Sequence, residues 1–279
     1  MTTNLTFEDR YLSGAELYGD DFDEDEVAQW FADEEHGYAG LGGTDRGKHD
    51  YGYTALNEHH GWSLLPKSKR FRHLLGFGSN YGDELLPMLN RVDRITLLDS
   101  SDRYVVKELQ GIAVSYVLAR SSGEIPITDG DVDLISCLGV LHHVPNVSRV
   151  IGEFERILAP GGTLLLREPI HSMGDWRRPR TGLTQRERGI PPNILLAILR
   201  KAGFAIESEH YCMFPAWSRV CGKLGLATFK SAQLTAVDAA LSSAFSWNSN
   251  YLRTTFFQKL APASLFIIAT KQNADGSRP

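Results

Sequence analysis

Cysteine is scarce: Cys137, Cys212 and Cys221 are the only three in 279 residues. An odd number with no paired metal spacing argues against a disulfide framework and a structural zinc, and points to a reducing cytoplasm. No metal is expected from these spacings. Long apolar runs are missing too. The longest, near residues 260–270, has the length of a strand, well short of the ~18 residues that span a bilayer. The first residues, MTTNLTFEDRY, lack the basic and apolar regions of a signal or transit peptide. An excess of positive charge is also absent. Lys and Arg number 29 against 34 Asp and Glu, a net charge of −5, which argues against a general nucleic-acid binder. No internal repeat or long low-complexity tract is visible. An apolar fraction of 42% and a charged fraction of 23% are those of a globular domain with additions.

The first seventy residues differ in composition from the rest of the chain. The acidic run DDFDEDE suits the positive N-terminal end of a helix, and a helix over 24–35 would turn Val27, Trp30 and Phe31 inward. A glycine-rich loop and the aromatic, histidine-dense stretch YGYTALNEHHGW come next. From Phe71 onward strands and helices alternate. FRHLLGFG, RITLLDSS, AVSYVLAR, DVDLISCLGV, GGTLLLREPI, FAIESEHYCMF and PASLFIIATK read as strands. GDELLPMLNRV, SDRYVVKELQ, VSRVIGEFERILAP and PPNILLAILRKAGF read as helices; in the third, Val150, Ile151, Phe154, Ile157 and Leu158 share one face. This alternation predicts a Rossmann-like α/β fold: a seven-stranded, mostly parallel sheet with helices on both faces. Ligands of such sheets bind beyond the carboxyl ends of the strands. Residues 1–70 and an aromatic-rich insert at about 215–262 would form a lid on a domain spanning 71–270. Residues 271–279 would be a disordered tail.

The loop GFGSNYGDE joins the first strand to its helix and offers Gly76, Gly78 and Gly82. Glycines let main chain approach a ligand closely. The spacing is one residue longer than the dinucleotide fingerprint, and Tyr81 stands where that fingerprint wants glycine. The second strand ends in Asp99, whose carboxylate can accept both hydroxyls of a ribose. A nucleoside ligand fits this pair of features better than a pyrophosphate.

This order of elements resembles class I S-adenosylmethionine-dependent methyltransferases. GFGSNYG stands at the first glycine motif, Asp99 at the ribose-binding acid, DVDLISCLGVLHHV at the fourth-strand motif and LAPGGTLLLREP at the fifth strand. More loosely, WFADEEHGYAG, SMGDWRRPRTGLTQRERGIP and FFQKLAPASL are similar to methyltransferases of sugar and polysaccharide biosynthesis clusters. The resemblance implies S-adenosyl-L-methionine as cofactor, held by Gly76, Phe77, Gly78, Ser79, Asn80, Asp99, Ser100, Ser121 and Leu138. Two positions depart from the family pattern. Leu74 stands where an acid usually precedes the first motif glycine. The adenine-contacting acid after the third strand has no clear counterpart among Ser121, Ser122 and Glu124.

Methyl transfer to a hydroxyl needs positioning and a general base. His142, His143, Glu168 and His171 fall near strand ends; His142 and His143, directly after the fourth strand, are the preferred catalytic pair. The loop after the fifth strand carries Arg177, Arg178, Arg180, Arg186 and Arg188. Arginine forks suit phosphates and carboxylates, although pairing with the acidic N-terminus would also explain them. Residues expected at the acceptor are His171, Arg177, Arg178, Arg180, Tyr53, His59 and His60. The expected activity is O-methylation of a small carbohydrate or nucleotide-sugar-type acceptor, with no nucleic-acid partner. Two other readings stay open: a nicotinamide-dependent oxidoreductase on a similar sheet, and a non-catalytic cofactor-binding partner protein.

Overall fold

The computed structural model describes residues 6–41, 46 and 50–273. Eight strands form one sheet in the order β3-β4-β2-β1-β5-β6-β8-β7. They are β1 (Phe71–Phe77), β2 (Val92–Asp99), β3 (Glu108–Leu109), β4 (Ile112–Leu118), β5 (Val132–Leu138), β6 (Leu158–Pro169), β7 (Phe204–Cys212) and β8 (Ser264–Lys271). β4, β2, β1, β5 and β6 run parallel, and β8 runs antiparallel to both β6 and β7. The eighth strand corrects the expectation of seven. It is a two-residue edge piece paired antiparallel with β4, inside the stretch read as a helix. Gln110 and Gly111 both have positive φ, 49° and 86°. That is the two-residue hairpin turn, and it folds Glu108–Leu109 back onto β4 before a helix can form.

Six α-helices complete the described chain: α1 (Glu24–Leu41), α2 (Thr54–His60), α3 (Val147–Ile157), α4 (Pro192–Lys201), α5 (Pro215–Lys223) and α6 (Ala232–Ala244). None is long and apolar enough to cross a membrane. α1 begins in the acidic run, as its charge suggests. Asp23 Oδ1 accepts from the Glu26 N–H while Glu26 Oε2 accepts from the Asp23 N–H, a reciprocal cap. The helix expected at 82–92 is a 3-10 helix, Asp83–Arg91, with Pro87 inside it. Proline has no N–H to give and crowds the preceding turn, which disfavours a continuous α-helix there.

The sheet is covered on both faces. On one, α3 and α4 bury Val150, Ile151, Phe154, Leu195 and Leu199 against Leu75, Ile135, Leu164 and Ile267. On the other, Leu56 of α2 and Leu85 and Met88 of the 3-10 helix pack on Leu74, Ile95, Leu134 and Phe266. Leu74 is fully buried in this second layer, so the position of the usual acid is a core position here. β8 continues to Lys271, inside the expected tail, and residues 274–279 lie outside those described.

Candidate active site

The carboxyl ends of β1, β2 and β5 bring three loops together. After β1, Gly78 takes φ 64°, and a Cβ built on it would meet Val140 Cγ1 at 2.4 Å. Only glycine lets the first loop and the loop after β5 approach this closely. At the end of β2, Asp99 is buried and accepts the Asn80 N–H at 3.0 Å. Burial pushes its carboxyl above the usual range, opposed by the N–H groups of Asn80, Ser100 and Ser101. Ala119 N–H bonds Asp99 O at 2.8 Å, which ties the loop of Ser121 to the same edge, with Ser121 exposed. Leu138 closes β5, and its carbonyl accepts from Arg167 Nη2 at 3.3 Å.

Two buried charged residues at this edge are not among the site residues expected from the sequence. Glu84, under the glycine loop, is pushed up to about 7 by burial. Arg167, on β6, gives Nη1 to Asn57 Oδ1 at 3.1 Å and lies 4.4 Å from the centre of the Tyr53 ring. Asn57 in turn donates to Tyr51 Oη at 2.6 Å. Both lie within the segments GFGSNYGDE and LAPGGTLLLREP, as charged residues beside apolar ones; that contrast is the signal that could have singled them out.

The turn after β5 holds the histidine pair. Glu168 of β6 is fully buried and accepts the N–H groups of Val140, Leu141 and His142 at 2.9, 2.8 and 3.2 Å. The same carboxylate lies 2.8 Å from His142 Nδ1. Its lone pairs already serve main-chain donors, so the imidazole proton is assigned to Nδ1 and the free lone pair to Nε2. Burial raises Glu168 to about 7 against those donors and lowers His142 to about 3, so the ring is neutral. His143 Nδ1 lies 3.0 Å from Glu34 Oε2 of α1, and burial lowers this ring as well. On the far side, Glu187 Oε1 is 3.7 Å from His142 Nε2. One ligand atom from each of His142, His143 and Glu187 falls within 4.8 Å of the others, the spacing of a potential metal site.

The carbonyls of this turn are also occupied. Arg188, fully buried, gives Nη1 to Leu141 O, Nη2 to Val144 O and its main-chain N–H to His142 O. Trp30 Nε1 donates to His143 O at 2.7 Å.

The other expected acceptor residues are dispersed. His171 lies beyond β6; its Nδ1 accepts the Met173 N–H, and burial lowers it to about 4. His60 packs on Phe266 and His210, with His59 against its edge. His60 is buried against the core and His59 is exposed, and neither shares the contacts that surround His142. Arg177 pairs with Asp175 and with Glu8. Arg180 serves the carbonyls of Met173, Thr184 and Gln185, and Arg186 pairs with Asp33. Arg178 is the most exposed of the five, 3.8 Å from Asp175. In the insert, Trp217 donates to Leu234 O and Tyr251 to Gly189 O, while Trp247, Phe256 and Phe257 are exposed.

Residues 75–166 match a family model described as a methyltransferase domain, 92 of the 279 residues. No curated protein matches the chain. Among solved structures, it is similar to a protein from Bacillus halodurans C-125 described as a methyltransferase: 18% identity, TM-score 0.51, covering 76% of this chain and 96% of that one. It is similar to an S-adenosylmethionine-dependent methyltransferase from Mesorhizobium loti at 17% identity and TM-score 0.50, covering 75% and 94%. A chain from the complex between the Haloferax volcanii Trm112 methyltransferase activator and a methyltransferase shares 11% identity at TM-score 0.53, covering 90% and 97%. At these identities the likeness is one of fold. The domain match and the sheet together support a class I S-adenosylmethionine-dependent methyltransferase. S-adenosylmethionine is the cofactor, and the donor set fits it: a glycine loop, a buried carboxylate at a strand end, and one buried residue of each charge beside them.

Proposed function

We propose that this protein transfers the methyl group of S-adenosylmethionine to a hydroxyl of a small carbohydrate or nucleotide-sugar-type acceptor. The observation that carries the reading is the His142–Glu168 pair, which stands on the strand edge that also carries Gly78 and Asp99. In this reading Gly76, Phe77, Gly78, Ser79, Asn80 and Leu138 line the cofactor, Asp99 with Ser100 receives the ribose hydroxyls, and Ser121 lies towards the adenine. Glu84 faces the ammonium of the methionine end and Arg167 its carboxylate, which compensates for the apolar Leu74. When bound, the cofactor supplies an electrophilic methyl. His142 takes the acceptor proton on Nε2, and Glu168 holds the ring and stabilises its charge. Residues 1–70 and the insert at about 215–262 cover the acceptor as a lid.

Calorimetry with S-adenosylhomocysteine tests the cofactor assignment. Asp99→Ala is expected to weaken binding more than tenfold, about 1.5–3 kcal/mol for hydrogen bonds to a charged group. Unchanged affinity in that variant removes Asp99 from the site, and binding of NAD in place of the homocysteine favours an oxidoreductase.

Arg178 is the arginine of its loop best placed to meet an anionic group on the acceptor, since its neighbours are spent on internal contacts. Arg178→Ala should raise the Michaelis constant for a phosphorylated or nucleotide-linked sugar several-fold, with turnover little changed, as expected when a uniform binding contact is lost. Methylation of neutral glycosides only, with kinetics indifferent to Arg178, defeats the anionic-acceptor reading.

A further inference from the structure

Around the turn after β5, three carboxylates and two imidazoles meet: Glu168 is filled by its main-chain donors and His142, and one oxygen of Glu187 accepts from Thr184, but two contacts stay uncompensated. His142 Nε2 carries a lone pair, and the atom facing it at 3.7 Å is a carboxylate oxygen of Glu187. An acceptor facing an acceptor is repulsive unless a proton or a cation lies between them. Glu34, which holds His143 through one oxygen, keeps its other oxygen buried without a hydrogen bond. The nearest cations do not bond these carboxylates. The guanidinium of Arg188 serves the carbonyls of Tyr18, Leu141 and Val144, and that of Arg180 serves Met173, Thr184 and Gln185.

We propose that His142, His143 and Glu187 bind one divalent transition-type cation of the zinc class, with Glu168 and Glu34 as the carboxylates that orient the two rings. A carboxylate behind each ligating imidazole is the usual outer arrangement of such sites, and it fixes the tautomer that leaves a lone pair for the metal. Two nitrogens and one oxygen suit zinc and its neighbours; magnesium and calcium prefer oxygen alone. Three protein ligands leave the fourth tetrahedral position open, as in zinc sites that bind water or substrate. Donors at zinc distance stand roughly 3.4 Å apart, so a set now within 4.8 Å closes by small side-chain movements. The ion would tie the β5 turn to the 170–191 loop directly, and to α1 and β6 through Glu34 and Glu168. It would occupy the lone pair that the proposed base uses, so ion and proton compete for His142 Nε2.

Zinc titration of the full-length, chelator-treated protein tests this without cofactor or acceptor, so its outcome is separate from that of the methyl-transfer reading. One equivalent of Zn²⁺ should bind by calorimetry and survive desalting, Mg²⁺ should not, and zinc should raise the melting temperature. Glu187→Gln and His142→Gln, both close in shape to the native residues, should each lower zinc affinity at least tenfold and abolish the thermal shift. His210→Gln, remote from the cluster, should leave both unchanged. Failure of the native protein to retain an equivalent overturns the site, and so does equal zinc affinity in the native, Glu187→Gln and His142→Gln proteins. Magnesium binding as tight as zinc overturns the assignment of the ion.

Discussion

His142→Ala is expected to lower turnover roughly 10²–10⁴-fold, the range for loss of a positioned general base, while S-adenosylhomocysteine affinity stays nearly intact. The reason is a division of labour within the site. Asp99 and the glycine loop lie at the ends of β1 and β2, whereas the imidazole stands on the turn after β5, so its removal takes nothing from the proposed cofactor contacts. Glu168 holds Nδ1 at 2.8 Å and keeps the acceptor lone pair on Nε2. The pH profile should carry the signature of the pair. Burial lowers His142 to about 3, so no loss of activity is expected from protonation of the ring at the ordinary histidine value. Burial raises Glu168 to about 7, so its carboxylate gains a proton as pH falls through that value and ceases to stabilise the imidazolium. Turnover should therefore fall on the acid side of about 7. His143→Ala is the companion measurement. If both alanine variants keep full turnover on the true acceptor, the base lies elsewhere or the reaction needs none.

Trp30→Ala should cost about 3–5 kcal/mol of stability, the usual range for deleting a fully buried large aromatic. Trp30 has no exposed surface, and its ring lies between Tyr18, Phe22 and the guanidinium of Arg188. A Cβ on Gly19 would approach its ring to 2.6 Å, so this part of the N-terminal segment is fitted around the indole. The substitution also strips His143 O of its donor. Urea unfolding measures the loss, and Trp30→Phe should fall between the two because it keeps much of the packing and none of the hydrogen bond. A cost below about 1 kcal/mol would mean that the indole is not a packed core residue.

The alternating pattern makes the sheet legible, because buried parallel strands and one-faced helices write their periods directly into the chain. The edge hairpin is not legible in the same way, since Val105 and Val106 next to Lys107 fit a helix until the turn at Gln110 and Gly111 is noticed. The histidine turn is legible by position. Its supports are not, because Glu34 reaches His143 across 109 residues and Trp30 reaches the same residue across 113. Separations of that size leave no spacing to read. The arginine loop shows the converse. Five like charges suggest a ligand, but Arg177 and Arg186 find Glu8 and Asp33 in the acidic N-terminal segment. That complementarity is visible in the composition of the two segments, and the loop's place at the sheet edge masks it.

The turn after β5 is gripped by its main chain. Glu168 takes its N–H groups, and Arg188 and Trp30 take its carbonyls, so the path of residues 140–144 is set by side chains from β6, the 170–191 loop and α1. Most of these bonds do not involve what residues 142 and 143 carry beyond their own Cα atoms. The turn is thus a socket, and the two imidazoles are its interchangeable fittings. Lineages that share the socket could change their chemistry by exchanging two adjacent side chains while the backbone beneath them stays where it is.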